Sequence, residues 1–531
     1  MKESDFDVIV VGSGPTGGFA AYELARAGVN VLLLEAGTKV DLSQLDTHAY
    51  PYELPDRRRP SPFYDKSIGD VVYKTTDNVA VDRIRTLGGR SMHWNAVCLR
   101  FSKDDFRENT VNDIEVDWPL SYNELVPFYE YVERTVGIVG TRENLEVVPD
   151  SVYWGKPPAF RCAEVLAARA CEKLKIRMIP TRKAISTKVR GTRGACHYCG
   201  HCMSGCHSQS IFNTTNALFP AAESSGRLRL RTNALARAVI LNEKGRAAGV
   251  SIIDRVTGKE EELHAKAVVL ACGGIETPRL LLNSVSPQSP NGVGNDNGLV
   301  GRWLCGHSKA DFFGYLEALS DAPMTNNDGA LDHSIIPRFA RQTKGYKGGF
   351  QIQTQFARYD FPHHAPAVPG FGAQWKAKVR SLAPAMLQMG SFGKVMARFE
   401  NFVSVDKDRT DPFGIPLPTV QFSFCDEDRA LFADMMAVTR EIHEMAGAKL
   451  MFGGNRIGGF ASHETGTCRM GDDPKTSVVN RWGQVHNVPN LVVADGSTFP
   501  TFPEKNPTLT LMALSVRAAR HLLAQSRRRA L

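Results

Sequence analysis

Continuous apolar runs, rather than alternating ones, set the opening of the chain. Val8, Ile9, Val10 and Val11 are uninterrupted and mostly β-branched, the pattern of a strand buried on both faces of a parallel sheet. From Phe19 to Ala27 the apolar positions fall at helical spacing and stop at Gly28, which marks a helix end. Val31 to Leu34 repeats the buried-strand pattern, and Glu35 closes it. The predicted order is strand, glycine turn, helix, strand. Runs of the same character return far downstream. Ala267 to Leu270 leads into Cys272-Gly273-Gly274, and Leu491 to Ala494 leads into Asp495-Gly496. Both predict further strands of one sheet, each ending at a functional turn.

Between these pieces, from about 45 to 80 and from 310 to 450, the chain is rich in Pro, Phe, Tyr and charge and has no βαβ rhythm. At 531 residues it exceeds a single typical core. The economical reading is a Rossmann-like α/β domain with a second, α+β domain assembled from insertions. Residues 1–45, 75–110, 225–310 and 460–531 are assigned to the first, and 46–74, 111–224 and 311–459 to the second.

Composition narrows the classes. Apolar residues at 43% and charged residues at 23% are ordinary for a soluble globular protein, and no apolar run is long enough to span a bilayer. Asp5, Phe6 and Asp7 lead straight into the first strand, so a signal peptide is not expected. The net charge of +8 arises without a long basic block or a nucleic-acid motif. Seven of the eleven cysteines (98, 162, 171, 272, 305, 425 and 468) are scattered, mostly beside apolar neighbours, and read as buried free thiols.

The glycine turn carries the first chemistry. Gly12, Gly14 and Gly17 follow a strand and open a helix, the spacing of a dinucleotide-binding turn. One glycine makes the tight turn, one lets backbone approach a pyrophosphate, and one lets the helix pack on the strand. The helix N-terminus offers N–H groups to phosphate, and Glu35 stands where a ribose hydroxyl would be accepted. This motif alone does not separate FAD from NAD.

Further motifs do. Leu87-Gly88-Gly89-Arg90-Ser91-Met92-His93-Trp94-Asn95 resembles the GGSS-type flavin loop of the glucose–methanol–choline (GMC) oxidoreductases. The stretches Ala271 to Leu281, Val300 to His307, His463 to Gly471, Ala494 to Ser497 and Asn506 to Thr508 are similar to that family's remaining signatures, in the family's order. The resemblance implies a GMC fold, with an FAD-binding first domain and a substrate-binding second domain. It implies that Gly88, Gly89, Ser91, His93 and Asn95 lie along the flavin and that Asp495 and Gly496 hold the ribityl and pyrophosphate region. Ala236 would meet the adenine end through its backbone. Pro507 and Thr508 would open a helix aimed at the flavin, with Asn506 as its N-cap and Pro507 at its first position. His93 lies in a segment similar to one that is covalently flavinylated in pyranose oxidases, and here it is read as a neighbour without a bond.

Oxidising an alcohol needs a base for the hydroxyl proton and an acceptor for the hydride. The family places the first duty on a histidine, here His463, whose ordinary pKa near 6.5 suits proton transfer. The second family position is Asn506, whose amide can only orient the substrate oxygen. A His–Asn pair resembles sugar-oxidising branches of the family.

Four cysteines, Cys196, Cys199, Cys202 and Cys206, fall within eleven residues. C-x2-C-x2-C-x3-C is a ferredoxin spacing, and zinc is the main rival ligand; an inert loop or redox-active thiols are the other readings. The spacing also resembles the cluster loop in the large subunits of FAD-dependent glucose, gluconate and glucoside 3-dehydrogenases. That resemblance implies a [3Fe-4S] or [4Fe-4S] cluster passing electrons to a cytochrome c or quinone. It further implies a small accessory subunit bearing an export signal and a periplasmic location reached through it, with a cytoplasmic location as the alternative. The leading expectation is thus a sugar or glycoside dehydrogenase, acting for example at C3. The rivals are a flavin oxidase releasing hydrogen peroxide and a non-catalytic electron-transfer or binding subunit.

Overall fold

The computed structural model describes residues 6–42, 45, 63, 69, 71–75, 77–81, 83–200, 202, 205–323, 331–338, 346–355, 364–454, 457–459 and 462–528. Most of the segment 46–74 lies outside the described residues. Two eight-stranded sheets organise the remainder, with a three-stranded and a two-stranded sheet beside them.

In the first large sheet, Leu228–Arg231, Val31–Leu34, Phe6–Val11, Glu260–Leu270 and Val488–Val493 run parallel in that order. Gln484–Val485 adds an antiparallel edge. The central strand is buried on both faces, as its unbroken apolar run requires: Ile9 and Val10 are wholly inaccessible. Glu260–Leu270 serves two partners. Its first half pairs antiparallel with Ala247–Asp254, and its second half pairs parallel with Phe6–Val11. Only the second half is continuously apolar, which is why the sequence shows a four-residue strand where eleven residues are extended. Helix Pro15–Arg26 packs on this sheet, and helix Thr508–Arg527 packs on that helix, pinned where the Ser515 hydroxyl donates to the Thr16 carbonyl at 2.6 Å. The first helix begins before Phe19, because Pro15 is preset for a first helical turn.

The second large sheet is mostly antiparallel and is centred on His307–Leu316, flanked by Met386–Lys394 and then Phe350–Gln355. Alternation governs it. Ala310, Phe312, Ile352, Leu387 and Met389 face helix Asp426–Met445, meeting Leu431, Met435 and Ile442 in a dry core. The opposite face carries His307, Lys309 and Asp311, Phe392 and Gly390, and Gln351 and Gln353, in register. This polar face turns towards the first domain. The boundary drawn at residue 310 falls inside the strand His307–Leu316, whose first residues already belong to this sheet. Asn78–Val79, assigned by sequence to the first domain, also pairs here, with Gly458–Gly459.

Candidate active site

A cavity of about 260 Å³ opens at the carboxyl ends of the parallel strands, the place where sheets of this kind bind ligands because strand order reverses there. Gly12, Gly14, Glu35, Gly89, Ala236, His463, Asp495, Gly496, Pro507 and Thr508 all line it.

The three glycines of the turn have three separate reasons. Gly12 has φ +98°, and a β-carbon on it would stand 2.5 Å from the Ala271 carbonyl oxygen. A β-carbon on Gly17 would lie 1.8 Å from the Gly12 carbonyl oxygen, so helix and strand could not close. Gly14 is different: nothing stands within 4 Å of its β-position. It caps the helix without a side chain, so the first N–H groups of Pro15–Arg26 are offered to the cavity. This cradle, open only at its middle glycine, fits a pyrophosphate.

Glu35 accepts from the Ser13 hydroxyl at 2.5 Å and amide at 3.2 Å, and from the Gly37 amide at 2.8 Å. Burial raises its pKa against those bonds. The Asp495 carboxylate is fully engaged. One oxygen takes the Gly273 amide and Thr277 hydroxyl, and the other takes the Ser497 amide and hydroxyl. It ties two cavity-lining turns together, 272–277 and 495–498.

The flavin-loop residues divide. Gly89 packs on the glycine turn, with its β-position 2.9 Å from the Gly14 Cα. Gly88, Ser91, His93 and Asn95 are not among the lining residues. Ser91 is buried, donating to the Gly88 carbonyl at 2.6 Å and accepting from the Thr214 amide at 3.2 Å. The His93 ring packs near Phe63, and the Asn95 amide donates to Asp332. None of these three lines this cavity.

His463 comes from the turn before the C-terminal block, and its Nδ1 lies 3.0 Å from Nδ1 of His307. His307 is wholly buried, and burial pushes its pKa down to about 4, so the ring is neutral. Its Nε2 stands 2.8 Å from the Pro503 carbonyl oxygen. A carbonyl can only accept, so that Nε2 carries the proton and His307 Nδ1 is a bare acceptor. His463 Nδ1 must then be the N–H, which leaves the His463 Nε2 lone pair unprotonated. Burial, and then the positive field of its surroundings, lowers the His463 pKa well below 6.5. The sequence motif exposes His463; its partner His307 closes another motif, and nothing local couples them.

Asn506 approaches the same sheet face one strand over. The Gln351 Nε2 donates to the Glu504 carbonyl at 2.7 Å and to Asn506 Oδ1 at 3.1 Å. The Gln353 Nε2 donates to the same Oδ1 at 2.7 Å. With its oxygen so occupied, Asn506 has only its N–H donors left. Gln351 is in register with Phe392, and Phe392 packs against His463, so both residues stand over adjacent strands. Asn506 is not the helix cap. The final helix starts at Thr508 with Pro507 in the capping place, because the Asn506 oxygen is held by the two glutamines instead. Asn506 also lies off the cavity lining.

Sequence reasoning missed what holds this turn. Glu504 and Lys505 are buried with Asp105 and Arg338 in one ionic network: Lys505 reaches Asp105 at 2.7 Å and Glu504 at 2.9 Å, and Arg338 joins both acids. A charged pair inside an apolar C-terminal block was the available signal. Burial would raise the Glu504 pKa, but Arg338 and Lys505 outweigh it and hold the carboxyl far below its usual range.

The cysteine loop does not bear out a metal centre. Among the described residues no group of three or more His, Cys, Asp or Glu side chains is placed to hold a metal ion. Cys206 instead meets the Ser208 and Ser210 hydroxyls, and Cys196 accepts from the Tyr198 amide. Burial pushes the Cys202 thiol up to about 11 and raises Cys196. The four thiols stay near one another, Cys196 feeling the charges of Cys199 and Cys206, and Cys202 those of Cys196 and Cys206, but spacing and proximity alone do not make them ligands. None of the eleven cysteines is in a disulfide, and Cys162 is exposed, against the expectation that it is buried.

Family models described as GMC oxidoreductase match residues 7–309 and 397–515. Over 97% of its length the chain is 31% identical to a 2-methyl-1,2-propanediol dehydrogenase of Mycolicibacterium austroafricanum, covering 95% of it. It is 30% identical to a 6'''-hydroxyparomomycin C oxidase of Streptomyces lividus, over 97% of this chain and 91% of that one. It is 27% identical to a fructose dehydrogenase large subunit of Gluconobacter japonicus, over 97% of each. Its fold matches a formate oxidase of Aspergillus oryzae at a TM-score of 0.68 and 17% identity, over 99% of this chain and all of the other.

Proposed function

The chain belongs to the GMC oxidoreductases, FAD-dependent enzymes acting on CH–OH donors, and from that premise we propose that it is a dehydrogenase for a hydroxyl of a sugar or glycoside. The Gly12–Gly17 turn, Glu35, Gly89, Ala236, Asp495 and Gly496 would hold FAD, which when bound supplies the hydride acceptor. His463 takes the hydroxyl proton on Nε2, and the Asn506 amide donates to the substrate oxygen and fixes its direction.

The observation that carries this reading is the proton pattern forced on His463. A fixed carbonyl, a neutral buried His307 and one 3.0 Å contact leave a lone pair on His463 Nε2 at neutral pH. The substrate class rests on the fructose and 6'''-hydroxyparomomycin C named for two of the relatives, the third being named for a diol, and on the polar sheet face beneath Asn506. A protein acceptor is proposed because one of these relatives is named as a large subunit. Anaerobic mixing with a panel of sugars and glycosides tests the reading: at least one must bleach the flavin, and failure of the whole panel refutes it.

A further inference from the structure

We infer that Asp311, Asp332, Asn95 and Gln353 form an acceptor-rich pocket that reads the non-reacting hydroxyl groups of the substrate. This rests on the reading of the site given above and adds the residues that set its specificity.

Each of the four has one polar atom engaged and one buried oxygen with no partner. Asp311 pairs through Oδ2 with Lys309 at 3.7 Å, and its Oδ1 is left. Asp332 takes the Asn95 amide on Oδ2, which leaves Oδ1 of the acid and Oδ1 of the amide. Gln353 spends its Nε2 on Asn506, which leaves Oε1. Gln353 is wholly inaccessible, and Asp332 is 3% exposed. A buried unsatisfied acceptor costs about 1–3 kcal/mol, so four in one neighbourhood call for donors from outside the chain.

The sheet register puts them beside the catalytic pair. Asp311, Gly390 and Gln353 are in register on three adjacent strands. All three occupy the face that meets His463 and Asn506. Gly390 places no side chain between the other two, and strands two apart are separated by about 9–10 Å. Asp332 is close enough to feel the charges of Lys309 and Asp311. Lys183, buried behind them, donates to the Asn95 and Leu331 carbonyls and feels the Asp332 charge.

The chemistry of the ligand follows. Two carboxylates are balanced by Lys309 and Lys183, so the pocket does not require a charged ligand. Its unpartnered atoms are all oxygens, with the Lys309 ammonium beside them, so it calls for hydrogen-bond donors, and several at once. A neutral polyol segment, with hydroxyls on carbons adjacent to the one oxidised, meets that demand; a simple alcohol leaves the oxygens unpaired.

Anaerobic flavin reduction tests this on the holoenzyme. The probes are a sugar that bleaches the flavin and its deoxy and O-methyl analogues at one neighbouring hydroxyl. Wild type should lose about 10- to 100-fold in the second-order rate constant with at least one analogue, since a site built to bond a hydroxyl rejects the compound lacking it. Asp311→Asn, which keeps the shape but weakens the acceptor, should narrow that ratio; Asp332→Asn serves if the first variant loses FAD. Equal rates for sugar and analogues in wild type overturn the pocket while the sugar-oxidising reading stands. Absence of bleaching by any sugar or glycoside overturns both.

Discussion

One large sheet packs apolar side chains on both faces; the other packs an apolar core on one face and buries mainly polar groups on the other. In the parallel sheet the binding features lie at strand ends and belong to backbone: a turn closed by Gly12 and Gly17, a helix N-terminus, and turns tied by Asp495. In the antiparallel sheet they lie on a face and belong to side chains: His307 under His463, and Gln351 and Gln353 under Asn506. Holding a large cofactor therefore depends on local chain geometry in one region. Orienting a proton acceptor depends on side chains from distant segments in the other.

The sharpest way to break this division is at the glycines. Gly17→Val should abolish folded, FAD-loaded protein, since even its β-carbon overlaps the Gly12 carbonyl. Gly14→Ala should fold yet lose FAD affinity, since its β-carbon meets only cavity. FAD content and thermal unfolding of the two variants measure the contrast. Equal behaviour would remove the distinction between packing and ligand glycines.

Next in size is the ionic network behind Asn506. Glu504→Ala leaves Arg338 and Lys505 with one carboxylate between them, and breaking such a buried pair costs about 3–5 kcal/mol. A lowered unfolding midpoint in chemical denaturation is expected, and an unchanged midpoint would show that the network contributes nothing.

Smaller again is the effect of the partner ring. His307→Ala should retain FAD but slow flavin reduction by about 10²-fold through misorientation of His463. Because the His463 pKa lies well below 6.5, protonation inactivates the base only at more acid pH. The wild-type reduction rate should therefore stay level as pH falls through 6.5, and a midpoint at 6.5 would contradict the buried, neutral pair. The least effect belongs to the cysteine loop. Cys202→Ser should leave the rate of flavin bleaching by substrate within about twofold of wild type, because no proton or hydride step touches it.

What was legible follows the same division. Val8–Val11, Val31–Leu34 and the glycine spacing announce the parallel sheet, because a strand buried on both faces writes an unbroken apolar run. The second sheet writes only alternation, interrupted by long loops, and its register is set by strands far apart in sequence. So the pairing of His307 with His463, and of Gln353 with Asn506, left no local mark. Asn95 and Ser91 were legible as loop residues but not as to which way they face. The cysteine spacing was legible, but spacing counts residues while ligation needs convergent sulfur atoms, which it does not report.

His463, held by His307 at the cavity that would take FAD, is proposed as the neutral base. Anaerobic stopped-flow reduction of the flavin by a bleaching sugar, in wild type and in His463→Ala of matched FAD content, tests it most directly. General-base loss predicts a fall of about 10²–10⁴-fold in the reduction rate with FAD retained. Reduction of the His463→Ala flavin at close to the wild-type rate would contradict the claim.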